Sequence, residues 1–295
     1  MGTFGELHTA YVEGHAKRFN KKSWRQPFRL IERHVLPRLG KLDVKSITQA
    51  DICATLGKVT SDSVFKQTLA SASTVFTWAI KTKVLQHNPC SGIETKETKA
   101  RKRRLKNSEL ALVWPKLTPA LRTILLTAQR PNEVRCMRRE HIVDEVWWQM
   151  PGPEIPELGW PGTKNGEDNL VFLSEPVREL VGEGTSGFVF KRGERLDAVM
   201  RKICAELGVT DRVRPHDLRR SWTYFAAKLG VDDPTIDRIL NHVVKTTTKV
   251  HYNHHKYESQ NAAAMTKVAE YVLAVVEGRG TDTDNVVPLR RDSQP

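Results

Sequence analysis

Apolar residues recur at helical spacing along residues 4–88, and this periodicity disappears before residue 105. Leu7, Ala10 and Tyr11 form one set; Phe28, Leu30, Ile31, Val35 and Leu36 a second; Val64, Leu69, Ala72, Val75, Phe76 and Ile80 a third. Residues three or four apart share a helix face, so this stretch is predicted to be nearly all helix. Thr48 and Asp51 have capping-box spacing and predict a helix start there, after a short connection over Gly40 and residues 41–46. Residues 88–105 carry Pro89, Gly92 and alternating Glu, Thr and Lys before Arg101, Lys102, Arg103 and Arg104, the composition of a linker. At 295 residues the chain is long enough for two cores. The expected division is a helical domain over 1–90, a basic linker over 91–106, a second domain over 107–277 and a polar tail over 278–295.

The second domain mixes patterns. Ser108 is predicted to cap a helix bearing Leu110, Val113 and Trp114, and Thr118 with first-turn Pro119 opens another. Residues 145–149 and 169–173 read as strands, separated by a Pro- and Gly-rich connection. Helical spacing then returns over 177–181, 196–207, 216–229, 234–240 and 262–276, with Asp233 expected to cap the helix begun by Pro234. The predicted class is therefore mainly α with a small antiparallel β-sheet in the second domain.

Charge narrows the partners. Lys and Arg number 47 against 34 Asp and Glu, a formal charge of +13, which favours a polyanion through counterion release. Lys17, Arg18, Lys21, Lys22 and Arg25, followed by Arg29, Arg33 and Arg38, form a basic surplus with few acids between them, and Arg101–Arg104 adds a second. These are candidate phosphate contacts, with a solvated helix face as the alternative. No apolar run reaches the roughly 18 residues of a membrane span, and the start of the chain lacks the pattern of a secretory signal, so a cytoplasmic protein is expected. Cys53, Cys90, Cys136 and Cys204 are widely spaced and read as small hydrophobes, with neither a metal site nor a disulfide framework.

Cleaving a phosphodiester without a metal takes a nucleophile, cations for the charge that develops on phosphorus and an acid for the leaving oxygen. The second domain carries such groups. Arg130 follows a helical stretch and precedes Glu133, a carboxylate able to orient it. His216 and Arg219 stand three apart and share a helix face. Leu240-Asn241-His242 comes later, and Tyr252 lies ten residues beyond His242.

The order of these motifs resembles the tyrosine recombinase family, the phage and genomic-island integrases, over residues 3–276. The resemblance implies a two-domain DNA clamp, with a core-binding domain followed by a catalytic domain. Arg130, His216, Arg219, His242 and Tyr252 match the family's catalytic positions, and Lys164 in Thr163-Lys164-Asn165-Gly166 matches its β-hairpin lysine, with Lys191 and Lys202 also available for that role. Asn-Gly is a hairpin-turn signal. Asn241 and Ala128 stand where the family often has glycine, and Tyr257 is a second tyrosine near the expected nucleophile.

By this resemblance Tyr252 attacks the scissile phosphate to form a 3′-phosphotyrosyl link, Arg130, Arg219 and His242 hold the non-bridging oxygens, Lys164 protonates the leaving 5′ oxygen, and His216 assists. Neither metal nor cofactor is implied. The implied partners are double-stranded DNA at attachment sites, a homotetramer on synapsed DNA that is monomeric when free, and accessory DNA-bending or directionality proteins. Many integrases have a further N-terminal domain for arm-type sites, whereas this chain begins directly at the core-binding part. A type IB topoisomerase and a non-catalytic DNA-binding regulator on the same scaffold are the alternatives.

Overall fold

The computed structural model describes residues 2–19, 24–97, 101–242 and 257–279. Lys21, Lys22 and Tyr252, singled out above, lie outside the described residues. The chain divides into two compact units, Met1–Arg101 and Lys102–Pro295.

In the first unit the helical periodicity is realised. Its principal helices are Phe4–Tyr11, Arg25–His34, Gln49–Leu56 and Asp62–Lys81. Phe4, Leu7, Ile31, Val35, Ile52, Leu56, Val75 and Phe76 are among the residues that form its core. Thr48 caps Gln49–Leu56 as expected: its hydroxyl accepts from the Asp51 N–H, and the Asp51 carboxylate accepts from the Thr48 N–H at 2.9 Å. Close packing of the first helix on the turn at Gly40 brings the Gly5 N–H within 2.9 Å of the Gly40 carbonyl. A Cβ on Gly5 would lie 2.9 Å from that same oxygen, so the contact needs glycine.

His8 sits in this core, 2% exposed and stacked on Phe28 with ring centroids 5.2 Å apart. Its Nε2 is buried with no hydrogen-bond partner among the described residues, and burial pushes the imidazole pKa down to about 4. The folded state thus takes up a proton less readily than the unfolded state, whose histidine titrates near 6.5. Stability is full above pH 6.5 and is lost as pH falls from there toward 4. We expect the first unit to lose on the order of 3 kcal/mol across this window. Amide exchange along Phe4–Tyr11, followed against pH, checks this: His8→Phe should flatten the dependence, and an unaltered profile in that variant would place the acid sensitivity elsewhere.

The second unit packs its core on one face of a three-stranded antiparallel sheet ordered β1-β2-β3, with β1 at Ile142–Val143, β2 at Trp147–Met150 and β3 at Asn169–Phe172. Trp148 pairs with Val171, and both point into a core shared with Leu121, Leu125, Leu218, Trp222, Phe225 and Val268. Trp147 and Phe172 pack edge to face on the opposite surface of the sheet. The helices that matter for the site are Pro119–Thr127, Pro131–Arg135, Pro215–Lys228 and Asp233–Ile239; Glu258–Val276 closes the unit. Among the described residues no helix is long and apolar enough to cross a membrane.

Several local expectations are corrected. The helix expected to be capped by Ser108 instead spans Asn107–Val113, with Lys106 at the cap position and the Glu109 carboxylate accepting its N–H at 2.9 Å. The cap before Pro234 is Asp232, whose side chain accepts from the Thr235 N–H at 2.6 Å, so Asp233 is already helical. The expected linker end at residue 106 also moves, because Leu105 is fully buried in the second core and its N–H donates to Ser221 Oγ at 2.8 Å. Arg103 goes with it. Its guanidinium is held by Glu109 at 2.6 Å and Asp211 at 2.8 Å, with the side chain 9% exposed, so it ties the start of this unit to its body and is removed from the candidate phosphate contacts.

Candidate active site

Four separate segments bring Arg130, Lys164, Asn165, His216, Arg219, Asp237, Asn241 and His242 to the wall of one open cavity of about 680 Å³. Five of the six expected catalytic residues therefore converge, although Arg130 and His242 are 112 residues apart in the chain.

The arginines are held in different ways. Helix Pro119–Thr127 ends at Ala128 in the left-handed conformation, φ +60°, which turns the chain so that Arg130 stands at the cap of the next helix. Glu133, 3% exposed, accepts from Arg130 Nη1 and from the Arg130 backbone N–H, both at 3.1 Å. Arg219, on helix Pro215–Lys228, is 4% exposed and has no carboxylate in hydrogen-bond contact among the described residues. It donates instead to the carbonyls of Ala128 and Leu240, both at 2.6 Å. Burial first, and the charge of Arg130 second, depress its pKa to about 9, which still leaves it protonated at neutral pH. A buried guanidinium satisfied by neutral carbonyls keeps its full charge for an anion entering the cavity.

His216 occupies the first turn of the same helix with an edge open to solvent. The protein packed behind it, then the charges of Arg219 and Arg220 and more weakly Arg130, hold its pKa below the ordinary histidine range. A neutral imidazole at pH 7 is the form able to accept a proton. His242 follows helix Asp233–Ile239; its Nδ1 lies 3.0 Å from Asp237 Oδ1 and its Nε2 lies 3.5 Å from Arg219 Nη2. Asp237 is the natural acceptor for the Nδ1 proton, which leaves Nε2, on the cavity side beside Arg219, as the nitrogen that would donate to an anion when it carries a proton.

Lys164 lies in the long connection between β2 and β3, exposed at the cavity wall. Asn165-Gly166 does not form the tight two-residue hairpin its sequence suggests. Of the two only Gly166 takes a positive φ, +80°, whereas a type I′ turn needs both. The backbone N–H of Lys164 reaches Glu133 Oε1 at 3.4 Å, so one carboxylate touches both cationic residues' segments. Lys191 and Lys202 do not line the cavity. Tyr257 does not line it either; the Arg238 guanidinium lies 4.2 Å from its ring centroid.

Three polar residues of the cavity wall escaped sequence reasoning: Asn165, Asp237 and Asn241 as a side chain that bonds. The Asn241 position carried a signal, since φ is +49° there and the family's frequent glycine marks such a position. Ala128 stands under the same constraint. We expect Ala128→Gly to stabilise the protein by about 1 kcal/mol by relieving the left-handed Cβ, with the carbonyl that holds Arg219 left in place. Chemical denaturation checks this; a destabilised variant would mean that the buried methyl outweighs the backbone strain.

The chain matches the sequence profile of the phage integrase central domain over residues 4–96 and that of the phage integrase family over residues 102–259. It belongs to the phage integrase family. Prophage integrase IntZ of Escherichia coli (strain K12) is 26% identical over 276 residues, a match covering 85% of this chain and 66% of the relative, just under two thirds of its length. A lambda integrase dimer bound to a COC′ core site is similar with a TM-score of 0.66 at 17% identity, covering 83% of this chain and 97% of that one. The Tn1549 transposon integrase in complex with a circular intermediate DNA is similar with a TM-score of 0.58 at 15% identity, covering 82% and 92%. These likenesses give the fold: a mainly helical chain with a small antiparallel sheet.

Proposed function

We infer that this protein is a site-specific DNA recombinase that cleaves and rejoins duplex DNA through a 3′-phosphotyrosyl intermediate, integrating or excising a mobile element. The observation that carries the reading is the convergence of Arg130, Lys164, His216, Arg219 and His242 on one cavity. Two guanidinium groups and an imidazole matched to one phosphate are the preorganised donors that phosphoryl transfer needs.

In this reading the phenolic oxygen of Tyr252 forms a bond to phosphorus as the bond to the 5′ oxygen breaks. The phenolic proton passes to His216 or to solvent, and Lys164 Nζ donates the proton that the 5′ oxygen takes. Arg130, Arg219 and His242 balance the charge on the non-bridging oxygens. The phosphotyrosine retains the bond energy, so a 5′-hydroxyl from another strand reverses the step with neither ATP nor metal. The basic surplus of both units supports a clamp on duplex DNA, and the relatives solved on DNA support attachment-site duplexes as substrate. A lambda integrase tetramer bound to a Holliday junction supports a tetramer on synapsed sites.

Arg101, Lys102 and Arg104 remain the candidate phosphate contacts near the junction of the units, with Arg104 stacked 3.8 Å from the Tyr224 ring centroid. In the first unit Lys17 pairs with Glu13 at 2.5 Å on the surface, a contact weak enough to give way to a phosphate, and Lys17 and Arg25 both lie over Trp24. Replacing Arg101, Lys102 and Arg104 together should weaken binding to all sequences alike and lower the salt slope by about 3. An unchanged slope in fluorescence anisotropy would remove these residues from the interface.

The test of the function is incubation of the protein with duplex fragments spanning the ends of its element, in chelator, scored for recombinant joints and protein–DNA adducts. Joints and adducts are expected. Relaxation of supercoils without joints would move the protein to the topoisomerase reading, and binding without adducts to the regulator reading.

A further inference from the structure

The loop that bears Lys164 is fastened to the segment that bears His242 by a pair of asparagines 76 residues apart. Asn165 Nδ2 donates to the Asn241 carbonyl at 3.0 Å and to Asn241 Oδ1 at 2.9 Å. In return Asn241 Nδ2 donates to Asn165 Oδ1 at 3.4 Å and to the Glu167 carbonyl at 3.3 Å. Thr163, 3% exposed, ties the loop to itself, its hydroxyl lying 3.0 Å from Asn165 Oδ1 and 2.8 Å from the Glu167 carbonyl. Lys164 is thus held on both sides, by Glu133 at its own N–H and by Asn241 through Asn165.

Asn241 occupies a backbone position that suits glycine better. At φ +49° a Cβ is strained, and asparagine is among the few residues that tolerate it because its amide bonds locally. The carbonyl of Asn241, which accepts from Arg130 Nη2 at 3.4 Å and from Asn165, would be present with glycine too. What the side chain adds is the set of amide contacts to the lysine loop.

We propose that Asn165 and Asn241 form a clasp that positions the Lys164 loop for proton donation to the leaving 5′ oxygen, with Asn165 and Asn241 acting as positioning residues. This rests on Lys164 being the general acid. The clasp fixes the backbone from which an exposed, flexible ammonium reaches, so its loss misplaces the acid while Arg130, Arg219 and His242 keep their own supports in Glu133, the Ala128 and Leu240 carbonyls and Asp237. A displacement of about 1 Å in a reacting group is enough to cost up to about 100-fold in rate.

The test measures single-turnover cleavage of two nicked duplexes, one with the ordinary bridging 5′ oxygen and one with sulfur in its place, whose low basicity removes the need for an acid. Wild type, Asn241→Gly, Asn165→Ala, the double variant and Lys164→Ala are compared. Asn241→Gly suits the allowed backbone, so unchanged melting and DNA affinity accompany it, and Asn165→Ala probes the same clasp from the other loop. Each single variant should cleave the oxygen substrate about tenfold or more slowly and the sulfur substrate within about twofold of wild type, and the double variant should be no slower than the worse single. Wild-type cleavage of the oxygen substrate by both single variants overturns the clasp, as does equal slowing on both substrates, which would trace the loss to the phosphate-holding groups. If Lys164→Ala is itself not rescued by sulfur, the acid assignment falls and the clasp's role falls with it; rescue of Lys164→Ala without rescue of the asparagine variants removes the clasp alone.

Discussion

Arg219→Ala should cleave DNA at least about 100-fold more slowly than the wild type, because a preorganised donor to the developing charge is worth roughly 3 kcal/mol or more. Two features put the expectation at the upper end. The guanidinium is buried, so its field is poorly screened, and it meets carbonyls and not a carboxylate, so its charge is not neutralised locally. The same geometry predicts a structural cost of about 1–3 kcal/mol, since the Ala128 and Leu240 carbonyls lose a donor. Arg219→Lys separates the two effects. An ammonium keeps the charge but has no planar fork to span both carbonyls and a phosphate, so cleavage should stay slow while DNA binding stays near that of the wild type. Single-turnover cleavage alongside anisotropy measures both, and near-normal cleavage by either variant would contradict the role assigned to Arg219.

Tyr252→Phe should abolish the covalent adduct altogether while leaving DNA binding intact, and Tyr257→Phe should leave the adduct in place. Tyr257 stands at the cap position immediately before helix Glu258–Val276. It lies against the Arg238 guanidinium and does not line the cavity, which speaks against it as the nucleophile, and Tyr252 is the one proposed. A free phenol loses its proton near pH 10, so the nucleophile must meet the cations around the phosphate to act at neutral pH.

Much of this was legible in the sequence because it is local. Helix faces in the first unit follow from three- and four-residue spacing, the Thr48–Asp51 cap from chemistry within one turn, and the shared face of His216 and Arg219 from a separation of three. Terminal caps slipped by two residues at Ser108 and by one at Asp233, within the one- or two-residue spread with which helix ends are defined. The supports of the site were hidden because they join distant segments. Nothing near Asn165 signals Asn241, and nothing near Arg219 signals the carbonyls of Ala128 and Leu240. Arg103 misled for a related reason: in sequence it is one of four adjacent basic residues, and its partner Asp211 lies 108 residues away. The left-handed turns at Ala128 and Asn241 were visible only as departures from glycine.

We propose that the cationic cavity joins DNA to Tyr252 through a 3′-phosphate without the help of a metal. A nicked suicide duplex incubated with the wild-type protein in chelator, digested and mapped by mass spectrometry, tests it most directly. A denaturation-resistant adduct is expected, with its nucleotide on the peptide containing Tyr252 and joined at the 3′ phosphate. A nucleotide on Tyr257, a 5′ linkage, or an adduct that forms only when magnesium is supplied would contradict it.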